Sequence, residues 1–96
     1  MSITDRLEAL KADINKHFPE VWTKDGDDFG GGQENTIWTG EGSQMPDGLP
    51  AFDPHCFDIM ERNYVMGVHK ELRSLLNKHD FYAEQLDGGT FFLRQV

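Results

Sequence analysis

The stretches "NKHFPEVWTKDG" (residues 15–26) and "NKHDFYAEQLDG" (residues 77–88) each open on Asn-Lys-His and close on Asp-Gly at the same distance. Before the first, Ile3, Leu7, Leu10, Ile14 and Phe18 recur at steps of three and four, with charged residues on the rest of the wheel. That spacing predicts an amphipathic helix. Ser2 with Asp5 resembles a capping pair, and Pro19 stops the helix at His17 or Phe18. Before the second stretch, Val65, Val68, Leu72, Leu75 and Leu76 predict another helix, placed from about Tyr64 onward because Gly67 and nearby β-branched residues weaken its start.

Strand-like sequence follows each helix. "FYAEQL", then Asp87-Gly88, then "GTFFLRQV" reads as a β-hairpin, since Asp-Gly between aromatic, alternating runs supplies the positive φ of a tight turn. "EVWTK" and "NTIWTG" predict a first hairpin with a longer, glycine-rich loop. The fold class expected is therefore α+β in one domain spanning residues 1–96, ordered α-β-β-(long loop)-α-β-β. Two helices would cover one face of a mainly antiparallel four-stranded sheet. Shifting the chain by 62 residues aligns Leu10/Leu72, Asn15/Asn77, Lys16/Lys78, His17/His79, Asp25/Asp87, Gly26/Gly88 and Phe29/Phe91. An internal duplication explains this match, and so does the shared chemistry of helix ends and turns.

Residues 40–63 have no counterpart in that match. Pro46, Pro50 and Pro54 punctuate them with Gly40, Gly42 and Gly48, while Met45, Leu49, Phe52, Phe57, Ile59 and Met60 supply apolar content. Structureless loops longer than about 12–15 residues are uncommon in compact domains and are often functional. The apolar side chains predict an ordered insertion packed on the domain, with the open face of the sheet as one place for it.

Charge is distributed unevenly. Between His17 and Asp58 nine acids (Glu20, Asp25, Asp27, Asp28, Glu34, Glu41, Asp47, Asp53, Asp58) face one base, Lys24, so this segment carries the whole net charge of −8. Negative charge without a Lys/Arg cluster argues against nucleic-acid binding. A protein with a basic surface is the natural partner for the acidic segment 17–58, through Asp25, Asp27, Asp28, Glu41 and Asp47. A solvated surface that maintains solubility is the competing explanation. With no membrane-length apolar run, no leader pattern and a single cysteine, Cys56, a reducing cytoplasmic setting is expected.

The densest ligand-capable group is "DPHCFD", with Asp53, His55, Cys56 and Asp58. Carboxylate, imidazole and thiolate all ligate transition metals, so these four residues define an alternative reading as a metal-binding domain or metal-dependent enzyme. Against it, no paired metal-ligand motif accompanies them, and adjacent residues of an extended chain point to opposite sides. The run Asp25, Asp27, Asp28 does not fit an EF-hand, because Phe29 and Thr36 fall where oxygen ligands are required. No cofactor is expected, and a non-enzymatic role is favoured. His17 and His79 fall at predicted helix ends, where the helix dipole favours them. Phe91 and Phe92 are consecutive in a strand and so face opposite sides; with helices on one side, the aromatic surface on the other needs the insertion, a second copy of the chain, or a partner to cover it.

Overall fold

Ser2 begins the first helix as the sequence indicates: its Oγ accepts from the Asp5 N–H at 3.2 Å and so occupies one unpaired donor of the first turn. In the structure, a computed structural model that describes residues 2–31, 33–53, 63–65, 67–87 and 89–96, helix α1 runs Ile3–His17. Four strands follow it into one antiparallel sheet: β1 (Lys24–Asp25), β2 (Ile37–Gly40), β5 (Phe81–Asp87) and β6 (Thr90–Gln95), in the spatial order β1-β2-β6-β5. Helix α2 (Lys70–Lys78) precedes β5, and a two-stranded ribbon, β3 (Tyr64–Val65) with β4 (Val68–His69), precedes α2. The α+β class and the α-β-β then α-β-β order are those expected, with the ribbon as an addition.

That ribbon corrects the placement of the second helix. Tyr64 to His69 is a hairpin, with Tyr64 opposite His69 and Val65 opposite Val68. Gly67 has φ +83°, the left-handed region that a helix interior excludes, and the two valines favour extended backbone. Only Leu72, Leu75 and Leu76 of the expected stripe are the helix's buried face. At the other end Asp80 (φ 62°) takes the left-handed position after the His79 cap and turns the chain into β5.

The first hairpin also differs from expectation. Of "EVWTK" only Lys24 is strand, continued by Asp25, and the two pair with Trp38 and Ile37. Trp22 leaves the ladder, and its indole donates to the Glu41 carbonyl at 2.8 Å. The second hairpin is the one read from the sequence, with Gly89 N–H donating to Asp87 Oδ1 at 2.9 Å in its turn.

The core lies on one face of the sheet. Leu10 and Ile14 of α1, the three leucines of α2, and Ile37, Phe81, Phe91 and Leu93 of the sheet bury together. The insertion joins this core. Met45, Ala51 and Phe52 are buried in it, and Phe52 stacks on Phe91 with ring centroids 4.4 Å apart. Its described residues, 40–53, therefore pack on the helix side of the sheet. Short bridges pin it, Gln44 with Pro50 and Phe52 with Val68.

The opposite face is covered from within the first hairpin. Lys24, Trp38, Phe92 and Glu84 stand in register across the four strands and share that face. Phe29, after a single 3₁₀ turn at Gly26–Asp28, lies edge-on to Trp38 (5.0 Å) and Phe92 (5.1 Å). The loop is held closed by Gly26 N–H to the Thr36 carbonyl (2.9 Å), by Thr36 Oγ1 to the Gln33 carbonyl (2.6 Å), and by Arg94 donating to Gln33 Oε1.

Candidate functional site

Three groups of polar or aromatic side chains stand out from the scaffold. The first is the outer face. Phe29, Trp38 and Trp22 form a continuous edge-to-face row, the two indoles 5.8 Å apart, and Phe29 remains 40% exposed. Lys24 Nζ lies 5.1 Å from the Trp38 ring and 5.7 Å from Trp22, within cation–π range of both. Asp27 and Asp28 immediately precede Phe29, and Glu41 follows the strand that carries Trp38; all three are exposed and make no ion pair with a described residue. Asp25 is different. Its Oδ1 accepts from Lys11 Nζ at 2.7 Å, and that bond, with the charges of Asp25 and Glu8, raises the lysine's pKa against the opposing effect of burial.

The second group is Asp47, His69 and Glu71, whose ligand atoms lie within 4.8 Å of one another. His69 is 1% exposed and caps α2: its Nδ1 accepts from the Glu71 N–H at 3.2 Å. With that nitrogen accepting, the hydrogen sits on Nε2, which donates to Asp47 Oδ2 at 2.9 Å. Asp47 Oδ1 accepts from the Leu49 N–H at 2.9 Å, so the carboxylate grips its own turn and the imidazole together. The Leu49 N–H first, then His69, hold the Asp47 carboxyl below its ordinary value of 3.8. Tyr64 completes the clasp, its hydroxyl donating to the Pro50 carbonyl at 2.6 Å and its ring standing edge-on to His69. A metal on Nε2 would force the hydrogen onto Nδ1, against the Glu71 N–H. The arrangement is suited to fastening the insertion to α2 and not to ligating an ion.

The third group is where the two Asn-Lys-His motifs meet. Asp13 of α1 accepts from His79 Nε2 at 2.8 Å through Oδ2; its Oδ1 lies 3.3 Å from His17 Nε2, and Lys78 Nζ is 3.6 Å from Oδ2. The His79 hydrogen bond, with the nearby charges of Lys78 and His17, lowers the Asp13 pKa from 3.8 despite burial. Beside it, Arg6, Ala9, Lys78, His79 and Asp80 line a cleft of about 250 Å³. A second cleft, about 140 Å³, lies between Glu8, Asp25, Asp27 and Asn35. Both fall below the roughly 300–1,000 Å³ usual for small-molecule pockets.

Of the residues expected to ligate a metal, Asp53 is half-buried, with its N–H on the Gly67 carbonyl at 2.8 Å, while His55, Cys56 and Asp58 lie outside the described residues. Of the acids expected at an interface, Asp25 and Asp47 are engaged within the chain, which leaves Asp27, Asp28 and Glu41. Asp13 was not singled out by the sequence; its i,i+4 relation to His17 was the signal available.

Compared with protein-family models, curated proteins and solved structures, the chain matches none. Function is therefore argued from these groups alone.

Proposed function

We propose that the protein acts by protein–protein contact in the cytoplasm, binding a partner with a basic surface through the outer face of its sheet. The observation that carries this is Phe29. An aromatic side chain held 40% exposed, on a base of Trp38 and Phe92 and directly after Asp27 and Asp28, has the anatomy of an aromatic anchor with a charged rim. In the free protein Lys24 shields the two indoles; a partner would displace it and supply its own cations to Asp27, Asp28 and Glu41. Rim charges of this kind speed association and make it salt-sensitive.

The test is affinity capture by the parent, by Phe29→Ser and by Asp27→Asn/Asp28→Asn, each at low and high salt. A protein retained by the parent at low salt, and lost in both variants and at high salt, supports the reading. A retained set indifferent to both variants sinks it.

A second reading, a homodimer, draws support from β5. It is a seven-residue edge strand on which Tyr82 and Leu86 are 42% and 50% exposed. Sedimentation that stays monomeric at high concentration removes it. For the described residues, no helix is long and apolar enough to cross a membrane.

A further inference from the structure

We propose that Trp22 and Trp38 form a notch for the ammonium group of a lysine on a protein partner, and that Lys24 fills it as a built-in occupant in the free protein. The inference rests on the outer face being the contact surface and names the chemical group received there.

A cation already marks the place. Lys24 Nζ lies 5.1 Å from the Trp38 centroid and 5.7 Å from that of Trp22, and the two centroids are 5.8 Å apart, so the three points make a nearly equilateral triangle. The indole planes meet at 83°, which gives the ammonium two walls of a corner. Lys24 is the one lysine or arginine between His17 and Asp58, yet it makes no ion pair with a described residue and settles on the rings instead. Arg94 shows the contrast. It too lies over a ring, 5.8 Å from that of Phe92, but Glu84 (2.8 Å) and Gln33 hold its guanidinium in place. Lys24, exposed and without an ionic tie to a described residue, can swing away.

The notch outlasts its occupant. Trp22 is pinned by its indole N–H on the Glu41 carbonyl at 2.8 Å and by Thr39 Oγ1 on its own carbonyl at 2.6 Å. Trp38 is fixed in the sheet between the backbones of Lys24 and Phe92, with Phe29 edge-on to its ring. None of these contacts uses the Lys24 side chain, so an incoming lysine meets a preformed corner with little left to order. A corner suits a compact ammonium, whereas a planar guanidinium stacks on one wall only. Around it the exposed Asp27, Asp28 and Glu41 complement the other cations of a lysine-bearing surface.

Trp22 and Trp38 are the chain's two tryptophans, so intrinsic fluorescence reads the notch directly. The experiment titrates the whole chain with acetyl-Gly-Lys-Gly-amide and with its Nε-acetylated twin, which keeps the stem and loses the charge. The lysine peptide is expected to give a saturable change and the twin none. Lys24→Met keeps an apolar stem over the rings at an exposed position, and by removing the competitor should tighten binding about two- to fivefold. That gain should persist at high salt, where loss of a merely repelling charge is screened. The proposal is overturned if the two peptides act alike, if neither acts on Lys24→Met, or if that variant binds no tighter than the parent. A partner retained through Phe29 but indifferent to Lys24→Met would also overturn it, while leaving the contact-surface reading in place. A response to the lysine peptide with no protein captured would do the reverse: the notch stands and the wider reading falls.

Discussion

The two faces of the sheet are built from the same strands but covered in different ways. On the inner face Phe91 and Leu93 meet two helices and an insertion from distant parts of the chain, and Phe52 seals Phe91 by stacking. On the outer face Phe92, one residue along, is buried beneath a local loop whose apex, Phe29, stays half in water, with the Arg94 guanidinium 5.8 Å from the Phe92 ring. Burial of the central ring is nearly the same, about 1% exposed in each case. What differs is the thickness of the cover. A thick cover serves stability, while a thin one leaves an aromatic surface that something else can use.

Paired truncations would break or sharpen this contrast. Phe91→Ala should cost about 3–5 kcal/mol, because its cavity is walled by elements fixed elsewhere. Phe92→Ala should cost clearly less, since the Phe29 loop can settle into the space; equal losses in denaturant unfolding would mean that both covers are equally rigid. Gly26→Ala comes next. A Cβ there would run into Thr36 Oγ1 and the Gln33 carbonyl, displacing the loop at a cost of about 1–3 kcal/mol. Because the loop covers Trp38, its fluorescence should shift toward that of solvated indole, which the Phe91 variant need not show. Phe29→Ser should cost about 1 kcal/mol or less in thermal unfolding, an edge-to-face contribution at a half-exposed site, while shifting the same fluorescence.

The smallest effect expected is with pH. Asp13 and Asp47 have folded-state pKa values below the ordinary 3.8, so the fold favours their ionised forms. Their contribution is fully present above the unfolded value and is lost as pH falls through the lowered folded values. The unfolding midpoint should vary little from these two groups between about pH 7 and 5 and fall below about pH 4. Asp13→Asn together with Asp47→Asn should flatten that fall.

Local patterns in the sequence were enough to reveal the helices and the C-terminal hairpin. Leu10 and Ile14 sit on a period that only a helix reconciles, and Asp87 marks a turn between two alternating runs. Long-range choices were not legible. Val65 and Val68 suit a helical stripe as well as a ribbon, and only the Gly67 backbone and the pairing of Tyr64 with His69 decide between them. Nothing local told whether the insertion or the Gly-rich loop would take the outer face, since both carry phenylalanine. The acidic segment was evident, but which acids are left to a partner depended on Lys11 and His69, 14 and 22 residues away from Asp25 and Asp47. The helix-end positions of His17 and His79 were also readable, while their meeting at Asp13 required knowing how α1 and α2 pack.

Strand β6 lies between β2 and β5 and supplies both faces with their central rings. It is also the last of the sheet's four strands in chain order. During synthesis, at about 5–20 residues per second, roughly 3–10 s separate the appearance of β2 from that of β6. Through that interval Trp38, Ile37 and the apolar side of α1 have no sheet to pack on, and no partial sheet of three neighbouring strands can form. The nascent chain must therefore stay soluble by other means until Thr90–Gln95 emerges. The acids clustered around β1 and β2 give its early portion the charge to do so.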